Sequence, residues 1–215
     1  MAAIEYQPGV KTLTRYSGDG GSFPVNGTRD GAIFTHSWFA ARVSEGKAFG
    51  SNHGTLGTAL TFLTIAADRP DAWVRVPTGT SIVPFLANVD VATAAGTVTK
   101  INIIFCQNDI GNGTSTGSTG PINYRSDSSN TSKCVVRHLA TADTTAMTNP
   151  LELYRSSIGI ASPAGLVNLL WTPNVTPAPL LIGPATLLVY VSATTTQATG
   201  EVQFGWVELD STAWT

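Results

Sequence analysis

The chain has 215 residues, a formal net charge of −2, and 12% charged against 42% hydrophobic residues. Ordinary soluble domains carry about 25% charged residues. The large apolar share argues against charge-driven disorder, and the singly scattered Lys11, Lys47, Lys100 and Lys133 argue against a surface that follows nucleic-acid phosphates.

Residues 1–57 read as an extended arm with short local structure. "MAAIEYQPGV" lacks the basic and apolar regions of a secretory leader, so the chain is expected to be cytosolic as made, or a mature form whose leader was removed. "YSGDGGSFPVNGTRDG" is Gly-rich and turn-like. "AIFTHSWFAARV" spaces Ile33, Phe34, Trp38, Phe39 and Val43 as a short amphipathic helix would, and equally as a strand would. "GKAFGSNHGTLG" adds four more glycines and reads as a continuation of the arm.

Residues 58–215 read as a β-domain. "ALTFLTIAA" (59–67) and "RPDAWVRVP" (69–77) are strand-like runs. In the next run Val83, Phe85, Ala87, Val89 and Val91 fall on one face, with Leu86, Asn88 and Asp90 on the other. Pro84 inside it predicts an edge or a bulge. "AAGT" then leads into "VTKINIIFC" (98–106), and the two runs read as a hairpin. Asn108 to Cys134 is polar and rich in Gly, Ser and Thr, and reads as an outward excursion between strands. Further strands are expected at 133–140, 151–161, 165–171, 185–193 and 201–209, the run 151–161 also suiting a helical turn. Many short strands with turn clusters and no long helix predict an all-β antiparallel sandwich. Uneven connections favour Greek-key or jelly-roll winding over an up-and-down barrel.

The chemistry-bearing residues are few. The histidines are His36, His53 and His138, and the sequence holds no nucleophile elbow, His-Glu-X-X-His or phosphate-binding loop. No enzyme activity, catalytic residue or cofactor is expected. Asn108, Asp109 and Asn112 in "NDIGNG", and Asp19 in "SGDGG", lack the spacing and acidic count of a calcium loop and suit turn geometry instead. No run reaches the roughly 18 apolar residues of a spanning helix, so no membrane partner is expected. Trp73 and Trp206 sit in strand alternation and read as core, whereas Trp38 and Trp214 lie outside it and are available to a sugar or a neighbouring subunit. If Cys106 and Cys134 end adjacent strands, they can bridge the base of the polar segment; in a reducing cytosol, free buried cysteine is the ordinary outcome.

Threonine is the commonest residue, and a surface made polar by hydroxyls suits burial against other subunits, because a hydroxyl that finds a partner costs less to bury than a charge. "RVPTGTSIVP" (75–84), "NDIGNGTSTGSTG" (108–120), "RSDSSNTSKC" (125–134) and "ATTTQATGEVQFGWVEL" (193–209) together resemble structural proteins of tailed-phage virions. The resemblance covers residues 58–210 and brings no catalytic residues with it. It implies a jelly-roll-like sandwich, a homo-oligomer of the trimeric kind, and a capsid, decoration or tail location among other virion structural proteins. The arm lacks the basic charge of a genome-binding arm, which favours the capsid surface and no direct nucleic-acid contact. Ile33, Phe34, Trp38, Phe39 and Trp214 are the expected subunit-interface residues, with residues 20–50 ordering on assembly. The alternative is a carbohydrate-binding sandwich used in host or surface recognition.

Overall fold

The computed structural model describes residues 4–5, 12–16, 22–26, 38–53, 58–64, 66, 69–93, 98–111, 115–117, 120–140, 144–158, 167–193 and 197–210. The elements in chain order are β1 (Ile4–Glu5), β2 (Thr12–Tyr16), β3 (Ser22–Asn26), α1 (Trp38–Ser44), β4 (Ala48–His53) and β5 (Leu60–Thr61). Then come β6 (Ala72–Val76), β7 (Thr80–Thr93), β8 (Thr99–Cys106), β9 (Ser115–Gly117), β10 (Ile122–Asn123) and β11 (Val135–Ala140). The last five are β12 (Leu151–Ile158), β13 (Val167–Trp171), β14 (Leu181–Ile182), β15 (Ala185–Ser192) and β16 (Thr199–Asp210).

The chain divides into two compact units, Met1–Ala41 and Arg42–Thr215. The first holds a small antiparallel sheet in the order β1-β2-β3. The second holds two larger sheets. One runs β10-β4-β16-β7-β13, with β5 added on β16 and β14 on β7; the other runs β12-β8-β15-β6-β11-β9.

The eight principal strands, in chain order, are β4, β6, β7, β8, β12, β13, β15 and β16. The first sheet then reads first–eighth–third–sixth, and the second reads second–seventh–fourth–fifth. This is jelly-roll winding, with every named strand pair antiparallel. Inward residues of both sheets form one core, to which β16 contributes Val202, Phe204 and Trp206, β7 contributes Ala87, Val89 and Val91, and β8 contributes Ile101 and Ile103. Period-two alternation places them there, and burial of their apolar surface is the main force closing the two sheets.

The sandwich unit begins at Arg42, not at residue 58. β4 lies between β10 and β16, with Phe49, Ser51 and His53 turned inward. Its "AFGSNH" has no β-branched residue and a central glycine, so propensity does not mark it; register against β16 does. The segment 42–53 therefore belongs to the folded sandwich. α1 is helical where the spacing suits helix and strand equally, and Gly46 at φ 67° ends it while its N–H bonds the Val43 carbonyl at 2.9 Å.

β7 and β8 do not form a hairpin: they lie in different sheets, and the chain crosses the sandwich between them. Pro84 marks a bulge in a central strand, where the register against β16 slips between Gly205 and Trp206. The bulge breaks the alternation, because the Phe85 ring and Leu86 Cβ both approach Gly205 on the outer face. Val83 and Phe85 therefore pack outside, with Val43, Ala48, Val207 and Leu209.

Cys106 and Cys134 are buried free thiols. Register aligns Cys106 with Thr186, Thr186 with Arg75, and Arg75 with Val135, the neighbour of Cys134. That is three strand spacings, about 14 Å, against a disulfide limit near 7 Å between Cα atoms. Burial pushes both thiols up in pKa, and the Glu208 carboxylate adds to the shift at Cys134, so neither is poised as a nucleophile.

Candidate functional site

The polar segment from Asn108 to Cys134 is not a simple outward excursion. It supplies β9 beside β11 in one sheet and β10 beside β4 in the other, so one connection finishes both sheets on the same side of the sandwich. Its backbone pairs where its side chains are too polar to suggest a strand. Asn123 Nδ2 donates to the carbonyls of Gly46 (2.8 Å) and Asn130 (3.2 Å), and Asn130 Nδ2 donates to that of Glu45 (3.2 Å). Glu208, largely buried at the end of β16, accepts from the Ser132 hydroxyl and from the Lys133 N–H at 3.1 Å.

The first residues of the segment fold back onto the outer face of the six-stranded sheet. Ile110 inserts among Trp73, Cys106, Ala140, Leu188 and Tyr190, with Met147 packed alongside. Arg75 Nε donates to Asp109 Oδ1 at 2.6 Å, and this pairing holds the Asp109 carboxyl below its ordinary pKa. The Gly111 N–H donates to the same carboxylate at 2.7 Å, and Trp73 Nε1–H reaches the Gly111 carbonyl at 3.3 Å. Asn108 Oδ1 accepts from the Thr148 N–H at 2.7 Å, which ties the two roof strips together. The Asn, Asp and Gly of "NDIGNG" that are described serve this roof rather than a cation.

Where the two sheets meet behind β9 and β10, His53 on β4 faces His138 on β11. Their Nδ1 atoms are 2.9 Å apart, so one ring donates and the other accepts. His53 is about 1% exposed, and its ring also meets Phe204 edge-on at 5.9 Å. Burial, with His138 as a second cause, lowers the His53 pKa to about 3; burial also lowers that of His138. Ser51 Oγ lies 3.5 Å from His53 Nε2. The arrangement has the residue types of a nucleophile–base pair, with Ser51 itself about 3% exposed. Its chemical role is to bridge the sheets with a neutral hydrogen bond. The same region holds Asp71, whose carboxyl accepts from the N–H groups of Leu63 (2.7 Å) and Val191 (2.6 Å) and is nonetheless raised to about 7 by burial. No grouping of three or more metal-binding side chains occurs among the described residues.

The opposite side of the sandwich is open. β12 pairs only with β8 among the described strands, and β13 only with β7. Large apolar side chains are exposed along it: Leu151, Leu170, Val175, Leu180 and Ile182, at 39–57% of full exposure. The last four fall within thirteen consecutive residues, Leu170 to Ile182. The three prolines within it, Pro173, Pro177 and Pro179, break any strand periodicity, so the sequence does not mark this ledge.

Of the expected interface residues, Trp38 and Phe39 lie on α1 and are 48% and 37% exposed. Ile33, Phe34 and Trp214 lie outside the described residues, as does His36. Trp73 and Trp206 are fully buried, as their alternation predicts, and so is Trp171.

The outer face of the seven-stranded sheet is covered at one end, where Ala48, Val207 and Leu209 are buried against Val43, Val83 and Phe85. On it Gly50 of β4 stands opposite Gly205 of β16. A Cβ on Gly50 would meet the Tyr124 ring at 2.8 Å, and one on Gly205 would meet the Phe85 ring at 2.6 Å. The two glycines thus form a floor for the aromatic pair, whose centroids are 5.6 Å apart in an edge-to-face arrangement. Beside it a groove of about 180 Å³ is lined by Gly50, Ser51, Asn52, Ile122, Asn123 and Tyr124. Comparison with models of known protein families and with curated proteins finds no match to the sequence.

Proposed function

We propose that the chain is a structural subunit that assembles through its sandwich into a symmetric homo-oligomer, and that its place is on a phage particle, as a capsid or capsid-decoration protein. The observation that carries the assembly reading is the apolar ledge along the open side of the jelly roll, Leu170 to Ile182 together with Leu151. Exposed apolar groups gathered at an unpaired edge favour association over solvent contact. A closed symmetric oligomer repeats one such patch on every copy. The virion placement rests on the residue-pattern resemblance and on jelly rolls recurring in viral capsid domains, an analogy at the level of fold. A trimer is the assembly the resemblance implies, with other virion proteins as partners.

The test is size-exclusion chromatography with light scattering on the full chain and on Leu170→Ser/Val175→Ser/Ile182→Ser, followed by electron microscopy of particles from the producing phage. The expected result is a defined oligomer that becomes a monomer in the triple variant, with the β-sheet circular dichroism retained. A wild-type monomer at tens of micromolar, or an oligomer indifferent to the substitutions, overturns the assembly reading. Particles that lack the protein overturn the virion placement.

A further inference from the structure

The outer face of the seven-stranded sheet carries a patterned set of polar side chains without partners among the described residues. Register aligns Asn52 of β4 with Gln203 of β16, and Gln203 with Asn88 of β7. One step along, Glu201 stands opposite Asp90, and Asp90 opposite Asn168 of β13. These six side chains form no hydrogen bond or ion pair with the described residues. Asn88 Oδ1 and Asp90 Oδ1 are moreover turned away from water without a donor among the described residues. An unbonded buried oxygen costs on the order of 1–3 kcal/mol, and stable sheets rarely keep two side by side without a reason.

Next to this amide row lies the groove of about 180 Å³ at Gly50, with Tyr124 about half exposed above it. The Tyr124 ring is held from beneath by the glycine floor and edge-on by Phe85, so it is a braced aromatic plane rather than a swinging side chain. Among the described residues, no lysine or arginine lines the groove or stands in either polar row. The face therefore offers an aromatic plane for C–H surface, amides that both donate and accept, and two carboxylates that repel anions. From Asn52 to Asn88 is two strand spacings, roughly 10 Å, the reach of a short oligosaccharide.

We propose that this face binds a neutral oligosaccharide, one sugar ring stacked on Tyr124 in the Gly50 groove and the following hydroxyls bonded by Asn52, Gln203 and Asn88. The far end of the row adjoins the apolar ledge, since Asn88 pairs in register with Leu170 of β13. The Tyr124 groove lies at the other edge of the sheet, beside β10, so sugar stacking there is read separately from assembly through the ledge.

The test is saturation-transfer NMR and calorimetry on the full chain with maltotetraose, cellotetraose, mannotetraose and chitotetraose, and with a heparin tetrasaccharide as the anionic comparison. The expected result is binding of at least one neutral tetrasaccharide and none of heparin. Tyr124→Ala should weaken it about tenfold or more, as truncation of a central aromatic contact does. Gln203→Ala should weaken it several-fold, and Tyr124→Phe should retain it, with thermal unfolding unchanged in Gln203→Ala and Tyr124→Phe. The proposal is overturned if none of the four neutral sugars binds, if heparin binds as well as they do, or if Tyr124→Ala and Gln203→Ala leave the affinity unchanged. Protection of Asn88 and Gln203 amides from hydrogen exchange by a second copy, in the absence of sugar, overturns it as well.

Discussion

The two outer faces of this jelly roll are built alike and finished differently. The six-stranded sheet turns Trp73, Cys106 and Leu188 outward, and the chain folds back to roof them with Ile110 and Met147. The seven-stranded sheet covers only one end of its outer face, with Val43 against Ala48, Val207 and Leu209, and beyond Phe85 and Tyr124 it turns outward amides and carboxylates that bond nothing among the described residues. The edges repeat the contrast: β9, β10 and the histidine pair close one side of the sandwich, while the Leu170–Ile182 ledge lies along the other. Apolar surface that the chain covers for itself is stability; polar pattern and apolar surface left uncovered are free to meet something else.

Breaking the roof should cost most. Trp73→Ala removes a fully buried indole and its bond to the Gly111 carbonyl, and should lower the unfolding free energy by about 3–5 kcal/mol. Ile110→Ala should cost about 2–4 kcal/mol by the same route. Both are read from urea midpoints at constant m-value. If Ile110→Ala is neutral, the roof is an ornament and the contrast between the faces fails.

The closed edge carries a pH signature. His53 is depressed from 6.5 to about 3 in the folded state, so between those values the unfolded chain binds more protons. Its contribution is fully present above pH 6.5 and is lost as pH falls toward 3, with each unit worth about 1.4 kcal/mol. Asp71 acts in the opposite sense: raised to about 7, it contributes most at low pH and loses that contribution as pH rises from 3.8 to 7. The two slopes oppose each other near pH 5. In Asp71→Asn the loss of stability on acidification should therefore be steeper than in the wild type, and in His53→Leu/His138→Leu it should be shallower. Denaturant titrations between pH 4 and 8 read these slopes, and identical slopes in all three proteins would remove the histidine bridge from the account of the closed edge.

A smaller effect belongs to the roof's polar tie. Asp109→Ala removes the partner of Arg75 and of the Gly111 N–H, and should cost about 1–2 kcal/mol. Arg75→Lys should retain only part of the tie, because lysine lacks the forked geometry that reaches both carboxylate oxygens.

What is legible in the sequence follows from what periodicity can carry. The runs around β7, β8, β15 and β16 alternate clearly, and the sandwich class comes with them. β4 is invisible, since glycine, serine, asparagine and histidine mark a strand only once β16 stands beside it. The false hairpin between β7 and β8 has the same origin: adjacency along the chain says nothing about which sheet receives the next strand. The bulge at Phe85 shifts the period by one residue and exchanges core for surface. As for the candidate site, Tyr124 sits in a polar segment with no alternation of its own, and the amide row exists only across strands. Asn52, Asn88 and Gln203 are far apart in sequence and become one row through two registers.

That row also sets the smallest expected effect. Asn88→Ala and Gln203→Ala remove side chains that bond nothing among the described residues, so each should change the unfolding free energy by no more than about 0.5 kcal/mol. Asn88→Ala should fall on the stabilising side of that range, because it deletes an oxygen without a donor among the described residues. The measurement is the urea midpoint of each variant beside that of Ile110→Ala, prepared and read in the same way. A loss of about 2 kcal/mol or more at Gln203 would mean that the polar row serves stability as the roof does, and its pattern would then need no ligand to explain it.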